Sequence, residues 1–372
     1  MKIGIMTFWE SKNNYGQILQ LFALQKALIK LGHTPFLIKY KRIGKPHKES
    51  ILKKIFSPEV FTKIYNKLNN THKKSLINDG NRKFDDFKSR NIIFGSNEYD
   101  SFDCLINNPP EADIYLAGSD QVWNNSFNVS AEAFLLGFGN KKVKRVAYAA
   151  SFGQKELSED TEKMFCRYFP SFDSISVREK SGVNICNKLG DDKTQWVLDP
   201  TLLFNKKEWE DILNLKAFDK KENIKQIFIY TLGNSLIKDK NKFKNYAKKQ
   251  NDCNVIHAAA NNDYSGDVAP SIEEWVNYIR TSNLVITTSF HGMVFCIINN
   301  VNFIILLNSG DAKGMNERIE SLLDRLGLTK HIMDGFNKTK FDYLYSKEIE
   351  WGPINKEIEA WKKESEFFLK NI

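Results

Sequence analysis

A single turn, residues 118–124 (GSDQVWN), combines small, acidic, amide and aromatic side chains. It follows a strand-like segment, residues 113–116, and a turn at the carboxyl end of a strand in an open α/β sheet projects polar groups into the ligand crevice. Asp120 beside Trp123 is therefore a candidate general acid or base, or an acceptor of hydrogen bonds from sugar hydroxyl groups. The structural alternative is that Ser119 or Asp120 caps a helix and Trp123 fills the core.

A histidine lies in a second turn of the same kind. Residues 288–292 (TSFHG) stand where a buried strand gives way to a helix, and Gly292 allows close approach of the backbone. His291 is the candidate acid or base of this turn, and the alternative is a core histidine bonded to a backbone carbonyl. The surrounding residues 281–310 contain no Asp, Glu, Lys or Arg. Uncharged polar residues at 287–289 and 299–300 interrupt this apolar stretch. They predict a buried β-α-β unit and argue against a membrane span.

Several further motifs accompany these turns. The turn 118–124 resembles the G-S-D-Q-x-W-N signature of the polysaccharide pyruvyltransferase family. Matches to other motifs of that family follow its order: 14–20 (NYGQILQ), 151–153 (SFG), 176–179 (SVRE), 197–203 (VLDPTLL), 288–292 (TSFHG) and 316–319 (NERI). Any one match is weak, but six in register identify the chain as similar to this family from residue 3 to about residue 330.

The resemblance implies a reaction, the transfer of a pyruvyl group from phosphoenolpyruvate to two hydroxyl groups of one sugar. The product is a cyclic ketal on a cell-surface polysaccharide or its lipid-linked precursor, and phosphate is released. A general acid must protonate the donor methylene, and a base must take protons from the attacking hydroxyls. Asp120 and His291 are the expected catalytic pair. No cofactor is expected besides the donor, because no His, Asp or Glu cluster has metal-ligand spacing.

The donor carries a phosphate and a carboxylate, so its site needs two cationic or helix N-terminal holders. The resemblance places Ser289 and His291 in the donor site, at the position of the family's Arg-Leu-His triplet, but Ser289 stands where that triplet has its arginine. Lys313 or Arg318 could replace the missing cation, and Arg178 could hold the carboxylate. Arg318 could equally be a surface residue paired with a neighbouring glutamate.

The acceptor sugar is expected on the first domain. At the turn 14–17, amides and an aromatic face could meet carbohydrate hydroxyls, although Tyr15 could also be a core residue at a helix start. In the turn 118–124, Trp123 could stack on the sugar while its polar neighbours form hydrogen bonds with the sugar hydroxyl groups. The predicted acceptor-binding residues are Asn14, Tyr15, Gln17, Ser119, Gln121, Trp123 and Asn124.

Strand-like and helical segments alternate along the chain, which predicts an α/β fold. The alternation restarts after a charged helix near 206–221, so we expect two doubly wound parallel-sheet, Rossmann-like domains. Residues 1–205 form the predicted acceptor-side domain, 206–352 the donor-side domain, and 353–372 a C-terminal helix that packs back across both. The resemblance supplies their mutual arrangement, two sheets facing a cleft as in GT-B-type glycosyltransferases.

The net charge of +9 comes from one region. Residues 39–90 hold fifteen Lys or Arg and five Asp or Glu, a surplus of +10. Apolar residues recur there at helical spacing among Lys53, Lys54, Lys63 and Lys67, which predicts short basic amphipathic helices. Such a basic face could bind an anionic membrane or a pyrophosphate-linked lipid, or it could be an ordinary solvated surface. No nucleic-acid partner is expected, since no recognised motif accompanies the charge.

The five cysteines are widely spaced and form no C-x-x-C pair, so we expect reduced core residues of a cytoplasmic protein. The amino terminus lacks the pattern of a signal peptide. Peripheral association with the inner face of the membrane is the alternative that the basic segment raises.

Two other functions remain open at this point. One is a nucleotide-sugar glycosyltransferase, although no Gly-rich turn for a nucleotide diphosphate is evident in the second domain. The other is a non-catalytic module of a polysaccharide assembly complex. Acceptor-dependent release of phosphate from phosphoenolpyruvate would separate these functions from pyruvyl transfer.

Overall fold

The computed structural model describes residues 1–42, 82–124, 130–215, 225–232, 239–250, 253–260 and 266–372. Within them the chain forms two parallel β-sheets with interleaved helices, which confirms the prediction of two doubly wound α/β units. Most of the basic segment, including Lys53, Lys54, Lys63 and Lys67, lies outside the described residues, so its amphipathic helices stay a prediction.

The first sheet has seven parallel strands in the order β3-β2-β1-β4-β5-β6-β7. Its strands are β1 (Lys2–Met6), β2 (Thr34–Tyr40), β3 (Phe94–Tyr99), β4 (Ile114–Ala117), β5 (Lys144–Ala150), β6 (Ser174–Val177) and β7 (Gln195–Trp196). The strand order reverses between β1 and β4, and a ligand crevice of an open α/β sheet opens at such a reversal. The turns that follow β1 and β4, residues 14–17 and 118–124, therefore lie beside this point.

The second sheet has five parallel strands in the order β12-β11-β10-β8-β9. Its strands are β8 (Lys225–Leu232), β9 (Cys253–Ala260), β10 (Leu284–Thr287), β11 (Asn302–Leu306) and β12 (Ile332–Met333). Here the order reverses between β8 and β10, so the turn 288–292 after β10 also lies at a crevice-forming position.

The helices of the described residues connect these strands. In chain order they are α1 (Tyr15–Lys30), α2 (Phe84–Asn91), α3 (Phe102–Asn107), α4 (Ala131–Phe134), α5 (Glu159–Tyr168), α6 (Lys180–Lys188), α7 (Lys206–Ile212), α8 (Lys240–Ala247), α9 (Ile272–Thr281), α10 (Phe290–Asn299), α11 (Glu317–Arg325), α12 (Lys338–Ser346) and α13 (Trp351–Lys370). A 3₁₀ helix, Gly310–Asn316, directly precedes α11.

Helix α1 joins the two domains. It is apolar on nearly all sides, which is typical of a helix that is covered all round, and its residues are buried from Tyr15 to Gln25. Tyr15 stacks on Trp275 of α9 with ring centroids 5.1 Å apart, and Phe22 contacts Trp209 of α7. One continuous apolar core therefore includes α1 and residues of both domains.

Helix α13 contacts both domains as well. Trp361 donates an indole hydrogen bond to the carbonyl of Trp196, 2.9 Å away, and Ser365 accepts one from the backbone N–H of Leu198 at 2.9 Å. On the side of the second domain, the guanidinium of Arg325 lies 3.6 Å from the centre of the Trp361 ring. These contacts hold the end of the first domain against α11 of the second.

The prediction that the cysteines are core residues is wrong for Cys104 and Cys166, which are exposed, whereas Cys186 and Cys296 are buried. All five are free thiols. No helix in the part of the chain that the structure describes is both long enough and apolar enough to span a membrane.

Candidate functional site

Polar side chains from both domains meet where the carboxyl ends of the two sheets face each other. Each follows a strand, because a parallel strand delivers the chain to this edge before the next helix begins. We call them the polar cluster: Ser119 and Asp120 after β4, Arg178 after β6, Asp199 after β7, His291 after β10, and Arg318 in the first turn of α11.

Asp199 is the centre of the polar cluster, and its side chain is fully buried. Its Oδ2 accepts hydrogen bonds from Arg178 Nη1 at 2.7 Å and from Ser119 Oγ at 3.0 Å. The same oxygen lies 3.4 Å from His291 Nε2, an ion-pair distance. Its Oδ1 accepts from the hydroxyl and the backbone N–H of Thr201, at 2.6 and 3.0 Å.

These neighbours keep Asp199 ionised. Burial alone would raise the pKa of its carboxyl group, but the imidazole of His291 and the guanidinium of Arg178 outweigh burial and hold the pKa well below its usual range. The carboxylate therefore serves as a permanent negative charge beside His291.

His291 of the second domain lies against the first turn of α1 in the first domain. A Cβ atom at Gly16 would collide with the imidazole ring, so only glycine lets the helix come this close. The turn that carries His291 is fixed locally, because Ser289 caps α10 by accepting a hydrogen bond from Gly292 N at 3.2 Å. The ring is thus held between Asp199 and the start of α1.

We expect Gly16→Ala to displace His291 and to lower activity far more than it lowers stability. The physical reason is that the added methyl group needs the space that the imidazole occupies. Steady-state kinetics together with thermal unfolding would measure both effects. Gly352→Ala in α13 is the matched control, since no atom lies within 4 Å of its added Cβ. Equal activity of the two variants would contradict the placement of His291.

Two arginines flank the ring of Phe290. The guanidinium carbon of Arg178 lies 4.6 Å from the ring centre, and that of Arg318 lies 5.5 Å from it. Arg178 is engaged by Asp199 and Ser119, although its Nε and Nη2 have no hydrogen-bond partner. Phe290 therefore provides a common cation–π surface for both guanidinium groups.

Arg318 is nine-tenths buried and has no hydrogen bond or ion pair to any described residue. Burial, and then repulsion by Arg178, lowers its pKa to about 10, so the guanidinium stays charged at neutral pH. The alternative of a surface ion pair is excluded, because the adjacent Glu317 binds Lys155 instead, at 3.2 Å. The carboxylates of Asp120, Glu179 and Asp199 act on its charge, but none of them forms a hydrogen bond with it. A buried guanidinium whose N–H groups are not engaged is a ready place for an anionic ligand.

Ser289 and Lys313 do not supply this charge. The Ser289 hydroxyl is occupied as the cap of α10, and Lys313 is exposed. Of the proposed replacements for the missing arginine of the triplet, Arg318 is the one that reaches the polar cluster.

Asp120 has a left-handed backbone, with φ +79°. For a residue with a Cβ atom this conformation is costly, and such strain concentrates at functional sites. Its Oδ1 accepts the backbone N–H of Gln121 at 2.9 Å and lies 3.8 Å from Arg178 Nη2. The side chain is 11% exposed, which leaves it accessible beside Arg178.

The polar residues predicted to bind the acceptor make contacts within the protein. Asn14 caps α1, and Gln17 accepts the backbone N–H of Ser11 at 2.9 Å. Gln121 accepts a hydrogen bond from Asn124 Nδ2 at 3.1 Å, and this amide pair packs against Gly153. Ser119 is bound to Asp199, as described above.

The prediction that two aromatic residues, Trp123 and Tyr15, bind the acceptor is corrected by the structure. Trp123 is 1% exposed, donates to the carbonyl of Phe134 and is enclosed by phenylalanines, so no face is free to stack on a sugar. Tyr15 is fully buried, and its hydroxyl donates to the carbonyl of Pro270 at 2.6 Å. Both are packing residues, the structural alternative considered for each.

Two buried carboxylates of the site were not among the predicted functional residues. Asp199 lies in the motif 197–203, and Glu179 directly follows Arg178 in the motif 176–179. Their motif membership was the signal that could have found them. The described residues contain no group of three His, Cys, Asp or Glu side chains arranged to hold a metal ion.

Comparisons with known proteins agree with the sequence motifs. A model of the family described as "Polysaccharide pyruvyl transferase" matches residues 14–310. No curated protein sequence shows a significant match.

Similar solved structures share the fold. One is a complex of S. aureus MnaA with UDP, at 10% identity and a TM-score of 0.55, covering 93% of this chain and 88% of that one. Another is the UDP-GlcNAc 2-epimerase of Methanocaldococcus jannaschii in complex with UDP-GlcNAc and UDP, at 15% identity and a TM-score of 0.52, with 94% of each chain covered. At such low identity the likeness shows the two-domain fold alone.

Proposed function

Since the chain belongs to the polysaccharide pyruvyl transferase family, we propose that it transfers a pyruvyl group from phosphoenolpyruvate to two hydroxyls of one sugar. The acceptor is a cell-surface polysaccharide or its lipid-linked precursor, and the products are a cyclic ketal and phosphate. The observation that carries the proposal is the buried, unpartnered guanidinium of Arg318 in a cluster with a histidine and a carboxylate.

The donor is a small polyanion, and the polar cluster contains two buried guanidinium groups with N–H groups that make no hydrogen bond to the described residues. Arg318 holds the phosphate of the donor. Arg178 binds the carboxylate of the donor through its Nε and Nη2, which form no hydrogen bond within the described part of the protein. The first N–H groups of α10 add the positive end of a helix dipole. Because these groups are buried, their attraction for an anion is weakly screened by water.

Three proton transfers accompany the reaction. His291, which lies beside Asp199, acts in its protonated form and gives its proton to the donor methylene, and positive charge develops on the neighbouring carbon. One sugar hydroxyl adds to that carbon and gives its proton to Asp120. The second hydroxyl then displaces phosphate and its proton leaves with the phosphate. The C=C π bond of the donor, two O–H bonds and the C–O bond to phosphate break, while one C–H bond, two C–O bonds and one O–H bond on phosphate form. The proton taken up by Asp120 then returns through solvent to His291, so atoms and charge balance and both residues are reset.

Acceptor-dependent release of phosphate tests the proposed reaction. The purified chain is incubated with phosphoenolpyruvate and a panel of lipid-linked oligosaccharides, and the products are analysed by mass spectrometry. We expect phosphate only with a suitable acceptor, together with the mass gain of one pyruvyl ketal. Parallel reactions with UDP-GlcNAc as the donor address the alternative glycosyltransferase. Glycosyl transfer, or no turnover with any acceptor, would contradict the proposal.

Arg318→Ala is expected to weaken binding of phosphoenolpyruvate by about 1.5–3 kcal/mol, because a charge-assisted contact to a desolvated anion is lost. Calorimetry on the free enzyme measures this without turnover. Lys313→Ala is the comparison, and we expect it to bind the donor like the wild type because Lys313 is exposed. A loss of affinity in Lys313→Ala and none in Arg318→Ala would reverse the assignment.

A further inference from the structure

Glu179 is a fully buried carboxylate to which the proposed reaction gives no role. Its Oε1 accepts three hydrogen bonds, from Ser151 Oγ at 3.0 Å, Phe152 N at 2.8 Å and Gly153 N at 3.2 Å. Its Oε2 is buried and has no hydrogen-bond partner among the described residues. One carboxylate oxygen is thus anchored and the other is free to carry a proton.

The buried charges around Glu179 do not suit an incoming anion. Two guanidinium groups, Arg178 and Arg318, stand beside three carboxylates, those of Asp120, Glu179 and Asp199. With the His291 imidazole neutral, these groups sum to a formal charge of −1, and with it protonated, as the proposed reaction requires, they sum to zero. In neither case is there net positive charge for an incoming anion, so its charge stays uncompensated in a low-dielectric site unless one of the carboxylates is neutralised. A proton is the simplest means of neutralising it.

Glu179 is the carboxylate best suited to take that proton. Asp199 is held ionised by His291 and Arg178, and Asp120 is partly exposed. Burial raises the pKa of Glu179, although Arg178 and the N–H groups of the loop oppose the change. Its free Oε2 is the position for the proton.

We propose that binding of an anion at Arg318 is coupled to protonation of Glu179. When this carboxylate is neutral, one negative charge that competes for Arg178 and Arg318 is removed. The two guanidinium groups then attract the anionic ligand more strongly. The identity of the anion as phosphoenolpyruvate rests on the proposed function, whereas the proton uptake rests only on the buried charges. Glu179 is a positioning residue here, since it acts through the arginines.

The pH dependence follows from the groups that face Glu179. These are the uncharged loop 151–153, Arg178 at the end of β6, Arg318 on α11 and the thiol of Cys186 on α6. Burial raises the pKa of Cys186 to about 12, so the thiol stays neutral. A bound anion raises the pKa of Glu179 further, so affinity is high below the free-state pKa and falls as the pH rises through the interval between the two values.

Calorimetry with two anions tests the coupling on the full chain. Sulfate does not titrate between pH 5 and pH 9, and phosphoenolpyruvate is fully ionised from about pH 7.5 upward. We expect the wild type to take up as much as one proton per sulfate, seen as a dependence of the binding heat on the ionisation heat of the buffer. We also expect its affinity to fall by up to about tenfold per pH unit in the linked interval.

Glu179→Gln is the decisive variant, because the amide oxygen can accept the same three hydrogen bonds while the side chain stays neutral. It should take up no proton, show no pH slope and bind sulfate more tightly than the wild type at pH 9. Glu317→Gln, beside Arg318 but paired with Lys155, is the matched control and should keep the wild-type proton uptake. An unchanged slope in Glu179→Gln would overturn the proposal.

Ser151→Ala serves as a second variant if Glu179→Gln does not fold. It removes one donor to the ionised carboxylate, so the pH midpoint of anion binding should move upward. An unmoved midpoint would contradict the coupling. Sulfate binding with proton uptake, but no binding of phosphoenolpyruvate, would support the coupling while overturning the proposed donor.

Discussion

Replacing His291 by alanine is expected to lower the rate of pyruvyl transfer by about two to four orders of magnitude, the usual contribution of a positioned acid or base. The imidazole stands between the carboxylate of Asp199 and the start of α1, where its Nε2 is placed to transfer a proton. We expect the fold to survive the substitution. Single-turnover kinetics and circular dichroism of the same preparation would measure both quantities.

His331 offers a matched control within the same chain. It is a core histidine whose Nδ1 lies 3.1 Å from the carbonyl oxygen of Phe303, and burial lowers its pKa to about 4. His331→Ala should cost stability but leave the activity of the folded enzyme unchanged. If both variants lose stability and keep their activity, His291 is a packing residue as well, and the proposed acid must be sought elsewhere.

Asp199→Asn is expected to be the other severe change, because it removes the charge that compensates Arg178 in the interior. Breaking a buried ion pair by removing one partner costs about 3–5 kcal/mol of unfolding free energy. The variant should also lose activity, since His291 would no longer face a carboxylate. Urea unfolding and kinetics at neutral pH would measure the two losses.

The difference in unfolding free energy between Asp199→Asn and the wild type depends on pH, and the lowered pKa of Asp199 determines the direction of that dependence. The ionised carboxylate contributes its full stability above the pKa of an unfolded Asp, about 3.9. This contribution is lost as the pH falls from that value toward the lower pKa of the folded state. The stability difference between the variant and the wild type should therefore be complete at pH 7 and shrink in acid.

Asp211→Asn is the control for the loss of a carboxylate alone. Asp211 pairs with Lys207 on the surface of α7 at 2.8 Å, where both side chains are exposed. Such pairs contribute about 1 kcal/mol or less. An Asp199→Asn variant no less stable than Asp211→Asn would show that the interior does not depend on this charge.

The sequence by itself determined the two-sheet fold and the turns that carry most of the polar cluster. Alternating strand and helix patterns predict parallel sheets, and the carboxyl ends of parallel strands share one edge. For that reason Asp120 and His291 could be named without coordinates. Arg178 and Arg318 were named because the donor implied by the family resemblance needs cationic groups to hold it. The missing arginine at position 289 pointed to a replacement cation, but the pattern left Lys313 and Arg318 open as alternatives.

Only the tertiary structure decided which of those side chains face each other and which are buried. Trp123 and Tyr15 are of the residue types that often bind sugars, yet aromatic rings fill a core equally well. Whether such a ring is buried depends on packing partners that lie far away in the chain. Asp199 meets Ser119 across 80 residues and Arg178 across 21. A buried charge is set by every group that surrounds it. Ser119 and Arg178 reach Asp199 when the first domain folds, and His291 reaches it only when the second domain packs against the first.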